Sequence, residues 1–264
     1  MQRIERATVI THGVTKNVDE ALARLRAVAE ESGVELLIGD DGGEPEIAVV
    51  LGGDGTMLRA LTRFLDTGVP VIGANFGRVG FLAAIPGDEL ELGVSRVFAG
   101  EYAVQSVPTL EISLGAERYV AINDVVVVGN TPGRIVEIAY AIDGEELATQ
   151  ACDGLICATP LGSTAYNLSN GGPVLVWGLD AAVVTLVAPH TLHTRPLVVG
   201  REFQLEVVNC SPDGEMVVLA DGRAVGALPR DAALTVRFAE SRTLLASLPE
   251  QTFFGRYTQV FGVG

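Results

Sequence analysis

Lysine is almost absent from this chain, since Lys16 is the only one among 264 residues. A P-loop phosphotransferase needs a lysine directly after its glycine loop, and a protein kinase needs one on a strand. A Schiff-base enzyme needs an amine in its site. Lys16 lies in Thr15-Lys16-Asn17-Val18, which matches none of these patterns. The scarcity of lysine therefore excludes three large classes of enzyme.

Positive charge as a whole is scarce. The chain has 33 acidic residues against 18 Lys and Arg, so its formal net charge is −15. A nucleic-acid-binding protein needs a concentrated basic surface, and this composition does not provide one. Any anionic ligand must therefore be bound locally, by backbone N–H groups, helix N-termini, a few arginines and a metal ion.

Cysteines and long apolar runs are also few. The three cysteines, Cys152, Cys157 and Cys210, are odd in number and lack short paired spacing, which argues against a disulfide framework or a zinc site and predicts free thiols. Hydrophobic residues make up 48% of the chain, but each apolar stretch is interrupted well before the roughly 20 residues of a membrane helix. The charged N-terminus lacks a signal-peptide core. We expect a soluble, cytoplasmic protein with neither membrane nor nucleic acid as a partner.

Two histidines, His190 and His193, have a spacing seen in metal sites. No cluster of carboxylates or cysteines accompanies them, so we do not expect them to bind a metal.

The first third of the chain alternates strand and helix patterns. The predicted strands are Ala7–Thr11, Val34–Ile38, Ile47–Leu51 and Val69–Gly73, and the predicted helices are Val18–Ser32 and Met57–Asp66. Ile47–Leu51 is apolar at every position, which is typical of a strand buried on both faces of a parallel sheet. This alternation predicts a doubly wound, Rossmann-like α/β domain.

The pattern changes near Gly100. From Val104 to about Phe238 the chain consists mostly of short β-rich runs separated by Gly, Asn, Asp and Pro, which predicts a β-rich, sandwich-like second domain. In the final residues, 249–264, aromatic side chains three or four apart indicate a helix that packs back on the first domain. The predicted fold class is α/β plus β, with domains 1–100 plus 247–264 and 101–246.

A glycine-rich turn lies at the end of the buried strand Ile47–Leu51. Its sequence is Gly52-Gly53-Asp54-Gly55-Thr56, and the glycines let backbone approach a phosphate closely. The helix predicted to begin at Met57 would offer unpaired N–H groups to the anion. A lone carboxylate beside phosphates makes sense if Asp54 faces a metal ion or accepts a proton from an attacking hydroxyl. The alternative is an ordinary Asp-Gly turn, but the strand–turn–helix context favours a functional role.

Three further segments carry polar groups between glycines. They are Gly73–Leu82, Asn123-Asp124 ahead of a predicted strand, and Cys152–Pro173. In the last segment, the Tyr166 ring is suited to stack on a base, and nearby hydroxyl and amide groups to hydrogen-bond its edges. Each segment alone has the simpler interpretation of a structural loop.

Taken together, these segments resemble the NAD kinase family. The Gly52–Thr56 turn resembles a signature that NAD kinases share with diacylglycerol kinases, sphingosine kinases and phosphofructokinase. The motifs that resemble NAD kinases in particular follow in order along most of the chain: Asn75–Phe81, Asn123-Asp124, Asp153-Gly154, Thr164–Ser169, Gly171–Pro173, Pro189–Leu192, Arg195–Val198 and Val218–Gly222.

The resemblance implies transfer of the γ-phosphoryl group of ATP, or of polyphosphate, to the 2′-hydroxyl of the adenosine ribose of NAD, making NADP. It implies that Asp54 is the catalytic proton acceptor and that Gly52, Gly53 and Thr56 form the phosphate-donor loop. The substrate-binding residues that it implies are Gly55, Arg59, Asn123, Asp124, Arg134, Asp153, Thr164, Ala165, Tyr166, Asn167, Leu168 and Ser169. It also implies Mg²⁺ or another divalent cation with ATP, and a homodimer or homotetramer.

Four positions depart from the common family pattern: Cys152, Leu161, Asn170 and Arg223. They leave open the preference between NAD and NADH, and the choice between ATP and polyphosphate is open too. A lipid kinase with the same glycine turn is an alternative, although it would not need Asn123-Asp124 or the Thr164–Ser169 stretch. A non-catalytic NADP sensor is another, against which the intact Asp54 argues.

Overall fold

The structure is a computed structural model that describes residues 3–11, 16–38, 43–76, 80–131, 133–212 and 214–262. The chain divides into two compact units. Unit 1 comprises Met1–Ser106 and Thr243–Gly264, and unit 2 comprises Val107–Arg242.

Unit 1 is built on a parallel sheet. Its strands are β1 (Arg6–Thr11), β2 (Glu35–Ile38), β3 (Ile47–Leu51), β4 (Val71–Asn75) and the short β5 (Ile85–Pro86). The strand order is β4-β3-β1-β2, with β5 parallel to β4. All five residues of β3 are buried, because the strand lies in the middle of the sheet with elements packed on both faces. The predicted α/β architecture is confirmed.

The helices of unit 1 are α1 (Lys16–Ser32), α2 (Asp54–Arg63), α3 (Leu90–Phe98) and, near the C-terminus, α5 (Phe253–Phe261). Helix α2 begins three residues earlier than predicted. Helix α3 was not predicted, although its buried residues Leu90, Val94, Val97 and Phe98 have the spacing of an amphipathic helix.

The C-terminal helix α5 packs on unit 1 through aromatic rings, as predicted. The centroid of the Phe81 ring lies 6.2 Å from that of Phe253 and 5.3 Å from that of Phe261. The helix starts at a capped end, since the Thr252 side chain accepts a hydrogen bond from the Gly255 N–H. No helix in the described part of the chain has the length and apolarity needed to cross a membrane.

Unit 2 contains two antiparallel sheets. The elements that lie in it wholly or for the most part are β6 (Ala103–Leu114), β7 (Glu117–Ala121), β8 (Asp124–Gly129), β9 (Val136–Ile142), β10 (Glu145–Cys152), β11 (Gly154–Ala158), α4 (Tyr166–Ser169), β12 (Ala181–Val187), β13 (Leu197–Gly200), β14 (Gln204–Asn209), β15 (Met216–Ala220), β16 (Arg223–Leu228) and β17 (Ala233–Ser247). One sheet has the order β10-β9-β14-β17, with β6 and β7 paired beyond β17, and the other has the order β13-β12-β11-β8-β15-β16.

The two sheets enclose one hydrophobic core. Ile138, Leu205 and Val236 contribute from the first sheet, and Val127 and Leu155 contribute from the second. These residues alternate with others that point away from the core, which is the arrangement of a β-sandwich. The predicted sandwich-like domain is therefore confirmed.

A smaller apolar cluster covers the other face of the six-stranded sheet. It joins Val126, Ile156 and Val183 to Leu175, which follows the predicted nucleotide-binding stretch along the chain. That stretch is therefore anchored on the strands β8, β11 and β12.

Candidate active site

The glycine turn of unit 1 leads directly into helix α2, which begins at Asp54. The N–H groups of Thr56 and Met57 both donate to the Gly53 carbonyl oxygen, at 2.9 and 3.1 Å. The prediction that Met57 offers an unpaired N–H group is therefore wrong. Because the helix starts at Asp54, its free first-turn N–H positions are those of Asp54 and Gly55. The anion-binding end of the helix lies at the carboxylate itself.

The Asp54 carboxylate is held by three consecutive backbone amides. Oδ2 accepts a hydrogen bond from Phe81 N at 2.8 Å, and Oδ1 accepts from Leu82 N at 3.0 Å and Ala83 N at 3.4 Å. A carboxylate has about four acceptor positions, so this arrangement fixes the orientation of the side chain and leaves room on Oδ2 for a hydroxyl donor.

Gly80 permits this close approach of the loop. A Cβ atom at position 80 would lie 2.4 Å from Asp54 Oδ1 and 2.6 Å from Oδ2, distances that no side chain tolerates. The second glycine-rich segment, Gly73–Leu82, therefore orients the carboxylate through its last residues. Gly77, Arg78 and Val79 lie outside the described residues.

Arg256, on α5, lies on the opposite side of the same loop. Its Nη1 donates to the Gly80 carbonyl oxygen at 3.1 Å and to the Ala83 carbonyl oxygen at 2.6 Å. Burial lowers the pKa of the Arg256 guanidinium, and the negative charge of Asp54 opposes that change. Sequence reasoning missed this residue, although a signal existed: Arg256 is the one charged residue in α5, Phe253–Phe261.

The other predicted residues of the turn and of helix α2 differ in exposure. Gly53, Gly55 and, on α2, Arg59 are exposed, whereas Thr56 is buried and Gly52 is half-buried. The Thr56 side chain packs against Gly52, where an added Cβ would lie 2.7 Å from Thr56 Oγ1. Thr56 therefore supports the shape of the turn, and the exposed residues present their backbone or side chain to the surface.

In unit 2, the Asp221 carboxylate holds the Asn123-Asp124 segment. It accepts hydrogen bonds from the backbone N–H groups of Ile122 at 3.0 Å, Asn123 at 2.7 Å and Asp124 at 3.3 Å. In return, Asp221 N donates to the Asp124 carbonyl oxygen at 3.0 Å. Asp221 and Gly222 both have positive φ, 51° and 74°, as in a tight type I′ hairpin turn between β15 and β16. The sequence pointed to this turn but not to the role of its carboxylate.

Asp124 is buried beside Asp221. Burial, together with the negative charge of Asp221, raises the pKa of Asp124 to about 7. Burial also raises the pKa of Asp221, against the opposing effects of its three amide donors and of Arg223. The thiol of Cys157 is fully buried, and its pKa is raised by that burial and by Asp124. Asp124 therefore changes charge near neutral pH.

Asn123 presents an unsatisfied acceptor. Its Oδ1 atom is buried, and no described residue donates a hydrogen bond to it. A buried polar atom without a partner is rare in folded proteins because it is unfavourable. A ligand N–H or O–H group at this position would satisfy it.

The predicted stretch 164–169 forms a short 3₁₀ turn, Gly162–Thr164, followed by α4. Within it, Asn167 is fully buried: Nδ2 donates to the carbonyl oxygens of Ser163 and Pro173 at 3.0 and 3.1 Å, and Oδ1 accepts from Thr185 Oγ1 at 2.7 Å. The Asn167 side chain thus anchors the stretch to β12.

The remaining members of the stretch are more accessible. Tyr166 and Ser169 are exposed, whereas Thr164, Ala165 and Leu168 are half-buried. Thr164 Oγ1 donates to the Leu161 carbonyl oxygen at 3.1 Å, so its lone pairs stay able to accept from a ligand.

Residues just before this stretch, Thr159 and Gly162, meet the Asn123-Asp124 pair at one end of β8. Thr159 N donates to the Asn123 carbonyl oxygen at 2.8 Å, and Thr159 Oγ1 donates to that of Ile122 at 2.7 Å. A Cβ at Gly162 would lie 2.0 Å from the Asn123 oxygen, so only glycine fits there. Within unit 2 the fold brings together the predicted adenosine-binding pair and the predicted nucleotide-binding stretch.

Asp153 and Arg134 lie at the opposite end of β8. Gly154 is paired with Val128, and Ala158 is paired with Asp124, so four residues separate the two ends. At about 3.3 Å per residue, that separation is roughly 13 Å. Both Asp153 and Arg134 are exposed.

The four departures from the family pattern have different surroundings. Cys152 and Leu161 are buried, and Asn170 Nδ2 donates to the Tyr166 carbonyl oxygen at 2.9 Å. The positive charge of Arg223 acts to lower the pKa of Asp221. Of these, Arg223 is the one with an electrostatic effect on a residue that holds Asn123-Asp124.

Among the described residues, no group of three or more His, Cys, Asp and Glu side chains is arranged to hold a metal ion.

Two family models match the chain. The ATP-NAD kinase N-terminal domain matches residues 8–102, and the ATP-NAD kinase C-terminal domain matches residues 122–248. The NAD kinase of Syntrophotalea carbinolica is 37% identical over 217 residues, which cover 80% of this chain and 76% of the relative.

Solved structures are similar to the chain along almost its full length. The crystal structure of an NAD kinase from Archaeoglobus fulgidus in complex with ATP has a TM-score of 0.79 at 27% identity, covering 98% of this chain and all of the other. Yeast NADH kinase complexed with NADH has a TM-score of 0.86 at 20% identity, covering all of this chain and 89% of the other, a likeness of fold. On the two family models and the sequence identity, the chain belongs to the NAD kinase family.

Proposed function

We propose that this protein transfers the γ-phosphoryl group of ATP to the 2′-hydroxyl of the adenosine ribose of NAD, making NADP. The observation that carries the proposal is the Asp54 carboxylate, fixed by three backbone amides at the first turn of α2. A carboxylate held in this way has a defined direction in which to accept a proton.

In the proposed step, the ribose 2′-oxygen forms a bond to the γ-phosphorus while the bond from that phosphorus to the bridging oxygen of ADP breaks. The hydroxyl proton passes to Asp54 Oδ2. Most of the rate enhancement in such transfers comes from positioning and from stabilisation of the transferred charge. The N–H groups at the start of α2, near Gly52 and Gly53, are suited to the donor phosphates.

For the dinucleotide, we propose that Asn123 and Asp124 bind the adenosine part. The buried, unpartnered Oδ1 of Asn123 supports this, since an exocyclic amine or a ribose hydroxyl would supply the missing donor. The exposed ring of Tyr166 offers a stacking surface. Thr164, Ala165, Leu168 and Ser169 contribute to the same nucleotide contact, and the buried side chain of Asn167 maintains its shape.

We further propose roles for Arg59, Asp153 and Arg134. Arg59 supplies positive charge to a phosphate, and Asp153 and Arg134 bind the part of NAD beyond the adenosine. Mg²⁺ or another divalent cation, carried by the ATP phosphates, neutralises the transferred charge. A homodimer or homotetramer in the cytoplasm is the expected form of the protein.

The test is a coupled assay in which an NADP-specific dehydrogenase reports NADP formation by the purified full chain. NAD with ATP and Mg²⁺ should give NADP, and chelation of the cation should abolish it. Parallel reactions with polyphosphate, with NADH and with diacylglycerol define the donor and acceptor. If the protein makes NADP with neither ATP nor polyphosphate, the proposal is refuted. Phosphorylation of diacylglycerol alone would favour a lipid kinase.

A further inference from the structure

On helix α5, Arg256 contacts the loop that holds Asp54. One peptide group connects the two residues. The Gly80 carbonyl oxygen accepts from Arg256 Nη1 at 3.1 Å, and the N–H of Phe81, in the same peptide group, donates to Asp54 Oδ2 at 2.8 Å. The guanidinium and the carboxylate therefore interact with opposite ends of one peptide dipole.

Arg256 also binds the other end of the loop, which runs from Gly80 to Ala83. The same Nη1 donates to the Ala83 carbonyl oxygen at 2.6 Å, so one nitrogen binds the first and the last carbonyl of Gly80–Ala83. The three amides that bind Asp54, those of Phe81, Leu82 and Ala83, lie within this span. Fixing both ends of a four-residue loop restricts the directions in which its amides can point.

We propose that Arg256 is a positioning residue for Asp54: by binding the Gly80 and Ala83 carbonyls, it orients the three amides that aim the carboxylate at its substrate. A cation bound to a peptide oxygen polarises that peptide, which strengthens the hydrogen bond donated by its N–H group. Arginine suits this task because its charge is permanent and its donors lie in a rigid plane. Its effect on catalysis rests on the proposed NAD kinase reaction.

The positioning role of Arg256 can be distinguished from a purely structural one, in which Arg256 would only hold α5 in place. Helix α5 has a second attachment, since the rings of Phe253 and Phe261 pack on Phe81. A third contact precedes the helix: Arg96 forms ion pairs with Glu101 at 3.0 Å and with Glu250 at 2.5 Å. Arg96→Ala removes these ion pairs and leaves both contacts of Arg256 with the loop in place.

The experiment compares Arg256→Ala and Arg256→Lys with the matched control Arg96→Ala in the full chain, measuring kcat and the KM values for NAD and ATP. For Arg256→Ala we expect kcat to fall by about 10- to 100-fold, by analogy with the loss of a partner that orients a metal ligand, while both KM values change by less than about 3-fold. Arg256→Lys should retain part of the rate, and Arg96→Ala nearly all of it.

Chemical rescue tests the role of the guanidinium directly. Guanidinium ion added to Arg256→Ala at a non-denaturing concentration should restore part of kcat, whereas urea at the same concentration should not. An unchanged kcat in Arg256→Ala, or an equal loss in Arg96→Ala, would overturn the proposal.

Amide hydrogen exchange gives a readout that does not need activity. In Arg256→Ala, or in Arg256→Lys if the alanine variant does not fold, the Phe81 and Leu82 amides should exchange faster than in the unsubstituted chain. The Gly52 amide, which donates to the Ala74 carbonyl oxygen at 3.0 Å, should be unaffected. Unchanged exchange at Phe81 would refute the positioning role even if NADP formation fails for every donor, so the two proposals can fail separately.

Discussion

Asp54 in unit 1 and Asp221 in unit 2 are held in the same way but differ in their charged neighbours. Each carboxylate accepts hydrogen bonds from three consecutive backbone amides, residues 81–83 for Asp54 and residues 122–124 for Asp221. The Asp54 loop has the cation Arg256 on its other side, whereas the Asp221 segment carries a second carboxylate, Asp124. The first arrangement places a cation behind the proposed catalytic carboxylate. The second holds the proposed adenosine-binding segment, and the charge of Asp221 helps to raise the pKa of Asp124.

The largest expected effect comes from Asp54→Asn, which replaces one acceptor oxygen by an NH₂ group facing amide donors. Loss of a general base lowers kcat by about 100- to 10,000-fold. The coupled NADP assay measures this loss. Circular dichroism and urea unfolding should show a folded protein, and substantial remaining activity would exclude Asp54 as the proton acceptor.

Asp124, the buried neighbour of Asp221, should make the stability of unit 2 depend on pH. Its folded-state pKa is raised from 3.8 to about 7, so folding favours the protonated form. The free energy of unfolding should therefore fall as pH rises from about 4 to about 7. At about 1.4 kcal/mol per pKa unit, the full effect is on the order of 4 kcal/mol.

The variant Asp124→Asn removes one of two buried carboxylates with a raised pKa and leaves Asp221, so it should reduce this pH dependence. The variant should be more stable than the unsubstituted chain at pH 8. Groups that face the pair, Cys157 and Arg223, are unchanged in it. The single tryptophan, Trp177, lies in unit 2, so its fluorescence in urea at pH 5 and pH 8 is the measurement. Equal slopes in the two proteins would show that Asp124 is charged throughout.

Gly80→Ala tests how closely the loop must approach Asp54. The new Cβ would lie 2.4 Å from Oδ1, so the carboxylate has to turn away from its amides. We expect kcat to fall by about 10- to 100-fold, by analogy with loss of a supporting contact at a reactive group. Gly200→Ala is the matched control, because no described atom lies within 4 Å of a Cβ there. An active Gly80→Ala enzyme would mean that the amide contacts are dispensable.

Local sequence patterns predicted the elements of both regions well. The buried strand Ile47–Leu51 was predicted with its observed ends, because five apolar residues bounded by Glu46 and Gly52 permit little else. Gly52 and Gly53 correctly marked the junction between this strand and the next helix, and Asn123-Asp124 correctly marked the start of a strand. The start of α2 was predicted three residues late, since Gly-Asp-Gly favours a loop and the helix is instead stabilised by the packing of Met57 and Leu61.

The residues that support these carboxylates were not predictable by the same means. Arg256 contacts carbonyls 173 and 176 positions away along the chain, and Asp221 binds amides 97 to 99 positions away. Both bind backbone groups, which leave no complementary side-chain pattern in a single sequence. The anchoring role of Asn167 was also hidden, because its partner Thr185 lies on β12, beyond the glycine-rich stretch.

The smallest effect should come from Asp221→Asn, and it sharpens the contrast between the two carboxylates. The substitution keeps one oxygen to accept from Ile122, Asn123 or Asp124 and places an NH₂ group against the remaining amides, so the segment shifts while Asp54 is untouched. We expect the KM for NAD to rise by about 10-fold, equivalent to about 1.4 kcal/mol, with kcat changed by less than about 3-fold. Steady-state kinetics with varied NAD at saturating ATP measure both constants. A loss confined to kcat would assign Asp221 to the chemical step. Asp54 and Asp221 would then both act in catalysis, instead of Asp54 acting in catalysis and Asp221 in substrate binding.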